Sequence, residues 1–195
     1  LQLSSSPALP LSPSPSPLFA FYTFSLTPHS YYSPCTHSLA LRAQIFVQMH
    51  RVDKAEADLK KMQQLDDDST LTELTKGWVY CGMGKGMQEQ GLYAFQELGA
   101  KFGRTLLVLN NVAACHIVLG NYSEADRCID EALESGQIGA ETFINAIVSA
   151  QLQGKGTELI NDLVTKLEAV DARHPWLAAR AENEKSFDAV ASSFA

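Results

Sequence analysis

Gly82-Met-Gly-Lys-Gly86 is the stretch of this sequence that comes nearest to a catalytic signature. A glycine-rich loop carrying a lysine binds phosphate when its backbone N–H groups converge ahead of a helix. The spacing here does not meet that need. A phosphate loop takes GxxxxGK followed by Ser or Thr, whereas Lys85 precedes Gly86 and Val79 stands where the first glycine belongs. The stretch also follows a helical pattern and not a strand, so it reads as a turn between two helices. Asp66-Asp67-Asp68 invites a calcium reading, but a calcium-binding EF-hand loop needs Gly at its sixth position and Glu at its twelfth. Counted from Asp66, those positions hold Leu71 and Gly77. A solvated acidic turn that favours the N-terminus of the next helix explains the run. Cys115 and His116 are neighbours on a helix and point about 100° apart, so they do not pair as nucleophile and base. His174, just before Pro175, reads as a turn residue. Cys35, Cys81, Cys115 and Cys128 include no CxxC pair, and three of them lie in apolar helical patterns. They read as small buried hydrophobes of a reducing compartment, with neither a disulfide framework nor a zinc site. With no GxSxG and no HExxH, the sequence predicts no catalytic residue, no cofactor and no metal.

The elements that would carry any site come from the rest of the composition. Hydrophobic residues make up 46% and charged residues 19% of the chain, values ordinary for a globular protein. A net charge of −7 argues against nucleic acid as a main partner, and no basic run suits a membrane surface. The composition changes near Leu39. Residues 1–38 contain no Asp, Glu, Lys or Arg and hold seven of the eight prolines, with a Ser-Pro run from Ser12 to Pro17. Proline removes backbone donors and disfavours helix before it, so 1–38 is expected to be a disordered low-complexity segment. Leu18 to Leu26 is too short to cross a bilayer and lacks a basic flank, and because the chain opens on Leu it is expected to be a fragment.

From Leu39 to the end, residues 39–195, the pattern is helical and repeats. In the segment Leu106 to Gly139, Leu109, Val112, Ala113 and His116 share one face. Gly120-Asn121 breaks it, and Tyr122, Ala125, Ile129, Ala132 and Leu133 form a second face. Ser135-Gly136 closes that helix through a left-handed glycine. A shift of about 34 residues toward the N-terminus carries Ala125 to Gly91, Ile129 to Phe95, Val112 to Trp78 and Gly120 to Gly86. The opposite shift carries Ala125 to Leu159, Ile129 to Leu163 and Ala113 to Ile147. A fourth copy starts near Leu39, with Ala43, Ala55 and Leu59 in register, and its wider spacing predicts a longer turn in the second unit. Small residues recur where antiparallel helices must approach closely. Asp53 to Glu56 and Thr70 to Glu73 read as capping boxes. Arg42 and Lys166 fall on positions that are apolar elsewhere. Pro175 opens a last helix to about Ser193, whose Trp176, Ala179, Phe187 and Val190 suit a cap over the final unit.

Period and small/large alternation resemble the tetratricopeptide repeat. The predicted fold is therefore all-α, a tetratricopeptide-like solenoid of antiparallel helix pairs. In such arrays the first helices line a concave groove, and by register its partner-binding positions are Tyr80, Met83, Asn110, Ala114, Ile117, Ile144, Val148 and Gln151. Apolar residues with an Asn and a Gln suit a helical or extended segment of another protein.

Met49-His-Arg-Val-Asp-Lys-Ala-Glu56, Leu59 to Thr72, Leu109-Asn-Asn-Val-Ala-Ala-Cys-His116 and the run Glu131-Ala-Leu133 before Glu141-Thr142 go beyond a generic repeat. Over about residues 39 to 195 they resemble the coatomer epsilon-subunit family. That resemblance implies a non-catalytic cytosolic scaffold subunit of the COPI coat, peripheral on Golgi and vesicle membranes. It also implies a role in Golgi-to-endoplasmic-reticulum and intra-Golgi transport, and binding to the C-terminal domain of the coatomer alpha subunit. The alternative is a tetratricopeptide adaptor that clamps the acidic C-terminal peptide of a chaperone. That role needs convergent Lys, Arg and Asn, and the groove offers Lys76 and Asn110.

Overall fold

The computed structural model describes residues 35–84, 86–136 and 139–192. They form α1 (Thr36–Gln48), α2 (Val52–Leu65), α3 (Thr70–Met83), α4 (Gln88–Phe102), α5 (Leu106–Leu119), α6 (Tyr122–Glu134), α7 (Ala140–Leu152), α8 (Thr157–Val170) and α9 (Pro175–Ser192). Helix begins at Thr36, ahead of the expected boundary at Leu39, because Ser38 N–H and Oγ both bond to the Cys35 carbonyl and close a first turn. The remainder of the expected low-complexity segment, residues 1–34, lies outside the described residues.

Helices pair as α1 with α2, α3 with α4, α5 with α6 and α7 with α8, and the second helix of one unit packs on the first helix of the next. First helices also stack on one another, α1 on α3 and α5 on α7. Between α3 and α5, Trp78 Nε1 donates to Asn111 Oδ1 at 2.9 Å. The repeat register explains the core. Ala43, Val79, Ala113 and Ile147, one from each unit, are all fully buried. In the second helices Ala55, Gly91 and Ala125 are buried at a shared position, as are Leu59, Phe95 and Ile129. Gly91 is tightly placed: a β-carbon there would lie 2.6 Å from Cys81 Sγ and 3.0 Å from the Gly77 carbonyl oxygen.

The turns inside the units repeat as well. His50, Gly86, Gly120 and Gly154 occupy one position and have φ of 55°, 83°, 78° and 67°. Arg51 N–H to Phe46 O, Asn121 N–H to His116 O and Lys155 N–H to Ala150 O close three of these turns identically. The second unit's turn, Gly84 to Met87, is longer than Gly120-Asn121, but the extra residues of the wider spacing fall ahead of α3, between Leu59 and Val79, because Val79 to Gly91 and Ala113 to Ala125 are equally far apart.

Three local expectations are corrected. In α8 the buried residues are Ile160 and Leu167, while Leu159 is exposed. The turn from Gln153 to Gly156 is longer than Gly120-Asn121, which advances α8 by one residue and carries Lys166 out to solvent, where it pairs with Asp162. The cap of α3 is Ser69, not Thr70: the Ser69 side chain accepts from Thr72 N–H. The cap of α2 is Arg51, which leaves Asp53 in the first turn with no capping bond of its own. Arg42 fits its apolar position by a different route. Its guanidinium grips the buried Asp58 carboxylate through Nε at 2.5 Å and Nη2 at 2.6 Å. The same two positions hold Trp78 and Ala94 in the second unit and Val112 and Cys128 in the third, so an ion pair replaces an apolar contact in the first.

At the C-terminal end His174 Nδ1 accepts from Trp176 N–H and starts α9. Trp176 and Leu177 rest against the cluster that contains Ile147, Ile160 and Leu167. Phe187 and Val190, farther along α9, are exposed. Among the described residues no helix is long and apolar enough to cross a membrane.

Candidate partner-binding face

The eight groove positions predicted from the register fall into three environments. Asn110, Ala114, Ile117, Ile144 and Val148 are buried within the chain itself. Ile117, Ile144 and Val148 share one apolar cluster with Ala125, Phe143 and Ile147, so they hold the third and fourth units together. Tyr80 and Met83 are half-buried against the cluster of the first unit, and Gln151 is exposed. The positions thus do not form one continuous open strip. The accessible part lies at Tyr80, Met83 and Gln151.

Around Tyr80 the surface is concave. Lys76 and Tyr80 of α3 face Glu89, Gln90, Tyr93 and Ala94 of α4 across a cleft of about 420 Å³. Two tyrosines give it apolar walls with polar rims, a composition that suits a polypeptide segment. Lys76 Nζ lies 3.3 Å from Glu73 Oε1 and is neutralised there. Sequence reasoning named Tyr80 and Lys76 but missed Glu89, Gln90 and Tyr93, because it assigned the groove to first helices alone. The signal available was Tyr93, an aromatic on the polar face of an amphipathic helix.

Asn110 is only 7% exposed, and neither its amide nitrogen nor its amide oxygen has a hydrogen-bond partner among the described residues. Its backbone carbonyl accepts from Asn145 Nδ2 at 3.1 Å. With Asn110 enclosed and Lys76 paired, the described residues of this face do not form the convergent cationic clamp that the chaperone-adaptor alternative requires.

The chemical candidates take structural places. Asp66, Asp67 and Asp68 are exposed between α2 and α3, where the Asp66 carbonyl accepts from Thr72 Oγ1. Gly84 ends α3 with φ of 64°. Cys81, Cys115 and Cys128 are buried thiols, and Cys35 is an exposed one. Burial lowers the His116 pKa from its usual value; Glu124 opposes that effect and Arg127 adds to it. Burial raises the Cys128 pKa, which Arg104 partly offsets. Among the described residues no group of three His, Cys, Asp or Glu is placed to hold a metal ion. The Asp58 carboxyl is held below the usual carboxylate range by its hydrogen bonds from Arg42.

The family model described as coatomer epsilon subunit matches residues 32–195. This chain belongs to the coatomer epsilon subunit family. It is 34% identical over 156 residues to coatomer subunit epsilon-1 of Arabidopsis thaliana, a match covering 80% of this chain and 52% of that protein. It is 33% identical over 153 residues to coatomer subunit epsilon of Caenorhabditis elegans, covering 78% of this chain and 52% of that protein. Coatomer subunit epsilon-1 of Oryza sativa subsp. japonica is 40% identical over 116 residues, covering 60% of this chain and 40% of that protein. The epsilon-family chain therefore spans about half the length of these relatives. Among solved structures, a tetratricopeptide repeat protein from Parabacteroides merdae superposes with a TM-score of 0.64 at 16% identity, covering 72% of this chain and 54% of that one. At that identity the likeness shows the fold alone, and the fold is the predicted tetratricopeptide-like helical array.

Proposed function

We propose that this chain is part of a non-catalytic scaffold subunit of the COPI coat and that it binds the C-terminal domain of the coatomer alpha subunit. The observation that carries this reading is the coatomer epsilon family match across residues 32–195, which includes every helix from α1 to α9. The array itself supports a scaffold role, because stacked helix pairs offer extended surface and rigid spacing. On this reading the chain acts in Golgi-to-endoplasmic-reticulum and intra-Golgi transport. It sits on the cytosolic side of Golgi and vesicle membranes and is recruited there by the coat. The accessible contact surface is the tyrosine cleft between α3 and α4, with Met83 on the same helix as Tyr80 and Gln151 exposed separately on α7.

Affinity purification of the tagged chain from cytosol tests this. Recovery of the alpha subunit together with the other coatomer subunits is the expected result. Recovery of chaperones in place of coatomer subunits would overturn it in favour of the adaptor alternative.

A further inference from the structure

Cys81 on α3 and Cys115 on α5 are 34 residues apart in sequence, one repeat, and so occupy the same position in consecutive units. Stacking of the first helices brings their sulfur atoms to 2.6 Å. Both are free thiols, 6% and 1% exposed, and no contact of the partner-binding face uses them. We propose that this pair is an oxidation site at which hydrogen peroxide creates an intramolecular disulfide that locks the second unit to the third. The two sulfurs lie about half an ångström beyond the length of an S–S bond, so their closure is a short step.

The chemistry balances in two steps. Peroxide oxidises the Cys81 sulfur to a sulfenic acid and leaves as one water; the Cys115 thiol then attacks that sulfur, its proton departs with the hydroxyl as a second water, and the S–S bond forms. Cys81 takes the first step because it is the less enclosed of the two. The Cys115 thiol is held well above its usual pKa, by its contact with Cys81 and by burial. It is therefore the slower group toward external oxidants and the resolving partner inside the pair. Cys128 and Cys35 have no sulfur partner in the described structure. The contrast between the sites is thus built into the repeat register.

The test uses the reduced chain carrying Cys35→Ser, which removes the exposed thiol that would cross-link copies. It is treated with hydrogen peroxide, alkylated under denaturing conditions and digested. The expected result is a linked pair of peptides containing Cys81 and Cys115, with Cys128 alkylated. A rise in thermal midpoint of about 5–10 °C should accompany it, reversed by dithiothreitol. Cys81→Ala and Cys115→Ala should each abolish both the linked peptides and the shift. Recovery of both cysteines alkylated after exposure sufficient to oxidise Cys35 in the unsubstituted chain would overturn the proposal. So would separate sulfinic acids with no linked peptide.

Discussion

At the residue scale, the left-handed position inside each unit shows how a backbone need selects a side chain. Glycine fills it at 86, 120 and 154, and His50 fills it in the first unit with φ of 55°. An L-residue in that region carries a steric cost of about 1–2 kcal/mol that glycine does not. His50 is exposed, so replacing it removes no packing. His50→Gly should therefore stabilise the chain by about 1 kcal/mol, less the added entropy of the unfolded chain, read as a higher midpoint in urea denaturation. His116 has the opposite character: it is buried and its Nδ1 has no partner in the described structure. Its folded pKa lies below the ordinary histidine value of about 6.5. Below that value the unfolded chain takes up a proton that the folded chain refuses, so stability falls as pH drops from about 6.5 toward the folded pKa. Thermal melts at pH 7.5 and 5.5 should show a loss on acidification that is smaller in His116→Gln.

At the element scale, the helices were legible in the sequence because every unit repeats the same short-range pattern. Turn glycines, small residues at close approaches and large residues beside them are local signals, and Ala43, Ala113 and Ile147 are buried where that pattern puts them. The register of α8 was not legible, since one extra residue in a polar turn leaves no apolar trace. Nor was the Arg42–Asp58 pair, because a buried carboxylate held by an exposed arginine looks in sequence like two surface residues. The groove was legible in outline only. Register alone does not tell how tightly neighbouring units close over Asn110, Ala114 and Ile117. A charge at Ile117 would thus disrupt the packing of α5 against α7 and not report on partner binding. Helix α9 is divided in the same way. Trp176 packs on the last unit and Phe187 does not. Trp176→Ala should destabilise the chain by about 1–2 kcal/mol, while Phe187→Ala should stay within about 0.5 kcal/mol, both read by thermal melting.

At the scale of the whole molecule, a solenoid distributes its contacts between neighbours, and its exposed features recur along its length. The first unit shows this at its outer side. Leu41 and Ile45 of α1 are 37% and 44% exposed, although the equivalent residues of the later units, Gly77, Asn111 and Asn145 and then Cys81, Cys115 and Ser149, are all buried. Asn111, Cys115 and Ser149 each meet a residue of the preceding unit, Trp78, Cys81 and Asp126 in turn, which adds to the burial from their own unit. The chain therefore has much of its ordered interior at the seams between units, whereas the proposed binding surface lies within one unit, at the α3–α4 cleft. We propose that this surface holds the coatomer alpha subunit. Isothermal titration of the purified chain with the purified C-terminal domain of that subunit tests it most directly, with Tyr80→Ala and Tyr93→Ala as variants at the two walls of the cleft. Saturable binding weakened about tenfold or more by the paired substitution, with helical circular dichroism unchanged, is the predicted result; no heat of binding at tens of micromolar, or equal affinity in the variant, would contradict it.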